Sequence, residues 1–431
     1  MSQLGTDYQG AFDANWQLDD LGRQGLADLG REYLLHGHLQ DRVGLPLVFF
    51  GWGEPAMTEL SIEEWMGTSP IYSERMQRAL GFVGHDVGTV FKNLQFDIGA
   101  PHQFMDFQFR LDSPEYGEFW LAHCGALMDV EPHGEDRVRR MCHDVEDPTF
   151  DATAAATHPR MKMRAIHRPP RIPDFRMPHC RWKIFIDSEG EASEPHPNLA
   201  LLRQSQAAQL VIPRPTVDAE PGGWQDYAGV FDPGFQLEDL CHAAGVLVLN
   251  EVALQSHLLA RALHLSARQR WGAEAATRLA DEQWEGISAL TAIRIKKGLG
   301  IVGDNVEAIA KVFQGHPTFH PRAYVDFRVS MEDSERARIE FHDSPAFAEQ
   351  DGCSWFAGLR AEGHPALSAI AQVVNPRARL LPVAGKGGAL FAWDIVVDSA
   401  AEPVKPPRSL GLGQISKGAA FRFERRRLPR A

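Results

Sequence analysis

The chain has 431 residues, 44% apolar and 23% charged, a balance that excludes a disordered or fibrous protein and leaves room for two domains. Its 44 basic and 57 acidic side chains give a formal net charge of −13, which argues against a general nucleic-acid or anionic-membrane binder. No run approaches the roughly 18 consecutive apolar residues of a membrane helix, the first residues lack a signal-peptide layout, and five cysteines in so large a chain read as reduced thiols of a cytoplasmic protein.

Residues 7–21 read DYQGAFDANWQLDDL and recur at 226–240 as DYAGVFDPGFQLEDL, with nine of fifteen positions identical at a shift of 219. The same shift pairs Trp52-Gly53 with Trp271-Gly272, Trp65 with Trp284, and Gly67 with Gly286. It also pairs Gly81, Gly84, Val87 and Lys92 with Gly300, Gly303, Val306 and Lys311. Farther on, Asp106-Phe107 meets Asp326-Phe327, Pro159-Arg160 meets Pro376-Arg377, and Trp182 meets Trp393 with small drifts of register. An ordered series of this length is a whole-domain duplication rather than a solenoid, whose repeats run roughly 20–50 residues. In Gly298-Leu299-Gly300-Ile301-Val302-Gly303 the glycines follow a helical stretch rather than a strand, so a dinucleotide-binding loop is excluded and a shared turn expected.

Each copy opens with helices and closes with strands. In the second, residues 237–265 and 273–299 are Ala- and Leu-rich with helical spacing. Residues 104–111 alternate, placing Met105, Phe107, Phe109 and Leu111 on one face of a strand. Further strands are expected at 118–127, 161–167 and 181–186, and in the second copy at 323–329, 337–342, 378–383 and 390–397. Asp147-Pro148 has the form of a helix start. The fold expected is therefore α+β, two tandem repeats packed as a pseudo-dimer: residues 5–190, a Pro/Gly-rich linker at 191–223, residues 224–400, and a basic tail at 401–431 ending in the exposed run Arg422 to Arg427.

The second copy serves as an internal control for chemistry. Polar groups concentrated in the first copy are candidates for a site. His102 and Asp106, four apart on an expected strand, suit a metal pair or a base with its orienting carboxylate, although Asp106 recurs as Asp326. His123-Cys124-Gly125 ends the next strand, where Gly125 permits a bend and Cys124 is either a nucleophile or a small buried thiol. Cys142-His143-Asp144 is the densest triplet. Its donors suit zinc or iron, thiol or acid–base catalysis without metal, or a structural role alone, and their spacing matches no closed metal motif. Candidate catalytic residues are thus Cys124, Cys142, His143 and Asp144, and candidate metal ligands are His102, Asp106, His123, Cys142 and His143. Arg164 and Arg168 form a local positive stretch suited either to a substrate carboxylate or to the solvated face of an edge strand. The corresponding places in the second copy hold Asp343 and the stretch 359–361, and are expected to be blocked or apolar.

The order of Trp284, Gly286, a Gly-Ile-Val-Gly-Asp turn, strands, Cys142-His143-Asp144, His158-Pro159-Arg160 and Cys180-Arg181-Trp182 resembles the L-2-amino-thiazoline-4-carboxylic acid hydrolase family. Asn375-Pro376-Arg377 and Phe391-Ala392-Trp393 supply the matching pieces of the second copy, without the cysteines. The duplication, His102 and Cys124 depart from that pattern. The resemblance implies hydrolysis of a small carboxylate-bearing C–N or C–S compound. The alternative expectation is a non-catalytic small-molecule or metal-binding sensor. Either way the partner is a small molecule rather than nucleic acid or a membrane, and the chain is a candidate homo-oligomer.

Overall fold

The computed structural model describes residues 4–425 of the chain and builds a mixed helical and antiparallel architecture in which one series of elements occurs twice. In the first repeat, α1 (Arg23–Leu39), α2 (Asp41–Trp52), α3 (Glu54–Ala79) and α4 (Val87–Leu94) precede β1 (Met105–Ser113) and β2 (Tyr116–Cys124). Short helices α5 (Gly125–Val130) and α6 (Glu135–Arg139), a π-helical turn (Arg140–Val145) and α7 (Glu146–Ala155) lead on to β3 (Met161–His167) and β4 (Cys180–Ile186). Helices α8 (Pro197–Leu202) and α9 (Gln206–Gln209) bridge the repeats. The second repeat comprises α10 (His242–Gly298), α11 (Val306–Gly315), β5 (Phe327–Asp333), β6 (Arg336–Phe341), α12 (Pro365–Val374), β7 (Ala378–Pro382) and β8 (Phe391–Val397), and α13 (Arg408–Ile415) follows. The two four-stranded antiparallel sheets have the same order, β1-β2-β4-β3 and β5-β6-β8-β7.

The long α10 is two helices meeting at Gly272, whose φ 81° and ψ 173° are non-helical. Gly53, 219 positions earlier, separates α2 from α3 with φ 88° and ψ 175°. A side chain at either position would be strained, because that backbone region is essentially reserved for glycine. The tryptophans preceding these glycines face each other: Trp52 and Trp271 stack with centroids 3.9 Å apart and planes 7° from parallel.

The repeats exchange their N-terminal arms. Tyr8 donates its hydroxyl to Gln314 Oε1 at 2.9 Å, and Tyr227 donates to Gln95 Oε1 at 3.0 Å. Lys311 Nζ reaches the Gly10 carbonyl, and Lys92 Nζ reaches the Gly229 carbonyl, both at 2.5 Å. Tyr8 N–H bonds to the Leu299 carbonyl and Tyr227 N–H to the Leu80 carbonyl, each at 2.8 Å. Every residue in one contact is the 219-shifted partner of a residue in the other, the reciprocity of a two-fold interface. Helices α1 and α3 pack on α10 in the middle of one continuous core. Among the described residues α10 alone is long and apolar enough to span a membrane, and its apolar stretch is buried there.

Several expectations are revised. The strand expected at 118–127 stops at Cys124, because the Cys124 Sγ accepts the Leu127 N–H and starts α5, while Gly125 lies so close to Phe104 that a Cβ would sit 2.2 Å from the ring. Strand β5 starts at Phe327, since residues 321–324 form a turn. Asp147-Pro148 does not start a helix. The chain is helical from Glu135, and a π turn precedes Pro148, whose ring crowds the carbonyl four residues back. The segment 191–223 is partly helical and docked, with Asn198 Nδ2 bonded to Ser266 Oγ at 3.0 Å and Leu202 buried. The C-terminal segment is anchored as well: Arg294 Nη1 donates to the carbonyls of Gly418, Ala419 and Phe421, and Arg425 pairs with Asp28 at 2.9 Å. Arg426 and Arg427 lie outside the described residues.

Candidate functional site

A cavity of about 160 Å³ opens in the first repeat between the sheet and helices α1, α2, α3 and α7. Strand alternation supplies its apolar floor. Met105 and Phe107 come from β1, where a register shift at Asp106/Phe107 marks a bulge, and Phe119 and Leu121 come from β2. The helices contribute Asp41, Arg42, Trp65, Tyr72, Arg137, Arg140 and Glu146, and the loop after α4 contributes Asp97.

The carboxyl groups define the chemistry. Burial pushes Glu146 up to about 8, the nearby Asp147 adds to the rise, and Arg168 partly opposes it. Its Oε2 is buried without a hydrogen-bond partner, so at neutral pH the side chain is a carboxylic acid facing the cavity. Asp97 accepts bonds from Tyr72 Oη at 3.0 Å and Gly99 N at 2.7 Å, and burial raises it only to about 6, leaving it mostly ionised. Asp41 also rises to about 6 through burial, with Arg42 opposing, and accepts from Trp65 Nε1 at 3.0 Å. Behind Asp41, the fully buried Glu64 has neither carboxyl oxygen bonded, and burial with the nearby Asp41 holds it in its acid form. Carboxyl groups whose environments push them apart are the usual division between acid and base.

Positive charge gathers at one end. Arg42 pairs with Asp129 at 3.1 Å and also touches His38 Nε2 at 3.1 Å, while Arg140 lies 3.0 Å from Glu54. Burial and Arg42 both lower His38 well below its ordinary value, so its imidazole is neutral. Arg137 is half-buried, and its side chain makes no hydrogen bond or ion pair among the described residues.

The residues expected from sequence are dispersed around this cavity. Cys124 and Cys142 are buried beside it, and Cys180 lines it. Burial pushes the Cys124 thiol up to about 12 and holds Cys142 and Cys180 well above the ordinary range, Glu146 adding to each, so all three are thiols rather than thiolates. His143 turns away and donates Nε2–H to the Pro169 carbonyl at 2.7 Å, and Asp144 is exposed. His102 lies on the turn before β1 rather than on the strand, and donates to the Gln95 carbonyl at 2.6 Å. Asp106 accepts from Gln108 Nε2, and the two border a separate groove. His123, opposite Asp106 in the sheet, faces Phe104, Lys417 and Phe421. Arg164 is engaged by Asp151 at 2.7 Å and Arg168 by Asp147 at 2.5 Å. Among the described residues no group of three or more His, Cys, Asp or Glu side chains is placed to hold a metal ion. His102, Asp106, His123, Cys142 and His143 are thus not brought together as one donor set.

The corresponding place in the second repeat is filled. Trp284, His257 and Gln283 are the shifted counterparts of Trp65, His38 and Glu64. All three pack on the buried Trp355, which lies parallel to Trp284 at 6.3 Å, edge-on to His257 at 5.5 Å, and donates Nε1–H to Gln283 Oε1 at 3.4 Å. The same comparison was available in the sequence, where Asp41, Glu64, Tyr72 and Asp97 stand opposite Ala260, Gln283, Thr291 and His316. Compared with family models, curated proteins and solved structures, the chain matches none.

Proposed function

We propose that this chain is a hydrolase-type acid–base enzyme that opens a C–N or C–S bond of a small molecule held in the first-repeat cavity. The observation that carries this reading is Glu146, a protonated, unpartnered carboxyl group facing an otherwise largely apolar cavity. Asp97, ionised and fixed by Tyr72 and Gly99, takes a proton from water as the water oxygen bonds to the electrophilic carbon. Glu146 gives its proton to the departing nitrogen or sulfur as that bond breaks. The net change is addition of one water, and solvent exchange resets both carboxyls. The buried thiols enter no step, because none is a thiolate at neutral pH.

The experiment is turnover of a pooled set of small cyclic amidines, amides and thioethers, followed by mass spectrometry, with wild type and Glu146→Gln side by side. A compound consumed by wild type and at least about a hundredfold more slowly by the variant supports the reading. Consumption that is indifferent to Glu146→Gln, or compounds bound in the cavity without any turnover, would contradict it, the latter favouring the sensor.

A further inference from the structure

The cavity has an unequal distribution of charge that bears on what enters it. Its three arginines are not equivalent: Asp129 neutralises Arg42, Glu54 lies against Arg140, and Arg137 alone keeps a half-buried guanidinium with no bonded partner. Burial first, and then the like charges of Arg42 and Arg140 against the opposing Glu54, push it below the ordinary arginine range. An incoming anion relieves both penalties, and a carboxylate matches the planar fork of a guanidinium with two parallel hydrogen bonds.

Geometry limits the rest of the ligand. Arg137 and Glu146 lie on one uninterrupted helical run, nine residues apart, with the π turn between them. Both line the same cavity, whose walls also include Met141, Phe107, Phe119 and Phe150. A volume of about 160 Å³ is near that of an engineered apolar cavity that takes benzene, so a single flat ring fits. One free guanidinium accommodates one negative charge.

We infer that Arg137 is the anion-recognising residue of the cavity and that the ligand is a small aryl or heteroaryl monocarboxylate, its ring on the phenylalanine walls and its carboxylate at the α6 end. This rests on the cavity being the small-molecule site, but not on Glu146 acting as an acid. The alternative carriers of the charge, Arg164 and Arg168, are already paired with Asp151 and Asp147.

The test is calorimetric titration of the full chain with benzoate and with its neutral isostere benzamide. Benzoate is expected to bind at least about tenfold more tightly than benzamide, the scale of a charge-assisted pair. Arg137→Met should weaken benzoate by at least about tenfold and leave benzamide unchanged, while Arg137→Lys should recover part of the loss. Because the Arg137 side chain makes no hydrogen bond or ion pair among the described residues, its replacement removes none of theirs. Glu146→Gln should retain benzoate binding. Equal affinity for the two probes, or benzoate binding indifferent to Arg137→Met, would overturn the inference. That result together with turnover lost in Glu146→Gln would leave the acid–base reading standing. Arg137-dependent benzoate binding with turnover indifferent to Glu146 would uphold the inference and remove the acid–base reading.

Discussion

Replacing Glu146 with glutamine removes an ionisable proton while keeping the shape of the side chain, and its effect on stability should depend on pH in a direction fixed by burial. The folded protein holds this proton up to about 8, against an ordinary value of 4.5. A carboxyl raised on folding contributes fully below the unfolded value, and that contribution is lost as pH rises from about 4.5 through about 8. Between pH 5 and pH 9 wild type should therefore lose roughly 3–4 kcal/mol relative to Glu146→Gln. Urea unfolding of both proteins at several pH values in that window measures the difference directly. The variant is the more stable protein at pH 9, and the gap narrows toward pH 5. Parallel stability curves across the window would refute the placement of Glu146 as a buried acid.

Three further outcomes follow from packing, backbone and buried imidazoles. Trp355→Ala should empty the plugged site of the second repeat and cost about 3–5 kcal/mol, measured by urea unfolding, because Trp355 is buried against Trp284 and His257. Gly272→Ala and Gly53→Ala should each cost about 1–3 kcal/mol, and similar losses at both would match their shared backbone geometry. His257 and His264 are lowered to about 4 and His316 to about 3, burial being the largest cause in each. Groups lowered on folding contribute above their unfolded value near 6.5, and that stability is lost as pH falls from there toward 4. Acid unfolding should begin in this range, and His257→Asn should flatten the curve.

Much of the fold was legible because duplication and alternation act locally. The shift of 219 pairs Gly53 with Gly272, whose backbone angles agree, and the alternation of Met105 and Phe107 matches their place on the cavity side of β1. The exchange of arms was not legible. Tyr8 and Gln314 are 306 positions apart, and nothing in either local pattern distinguishes a contact within a repeat from one between repeats. The site was read only in part. Cys142-His143-Asp144 is the dense polar signal of its run, whereas Glu146, four residues after Cys142, is a single glutamate that gives no signal until its burial is known. The π turn decides which of these side chains face inward, presenting Met141, Val145 and Glu146 to the cavity and leaving Asp144 in solvent. Asp41, Asp97 and Arg137 come from three distant elements, and only packing brings them to one place.

The central claim is that Glu146 is a protonated acid at working pH in the first-repeat cavity. A carbon-13 titration of labelled glutamate carboxyls tests it most directly, with the Glu146 resonance assigned by its disappearance in Glu146→Gln. The account predicts a midpoint near 8 for that carboxyl, with kcat/KM falling over the same range once a substrate is in hand. A midpoint in the ordinary glutamate range near 4.5 would contradict it.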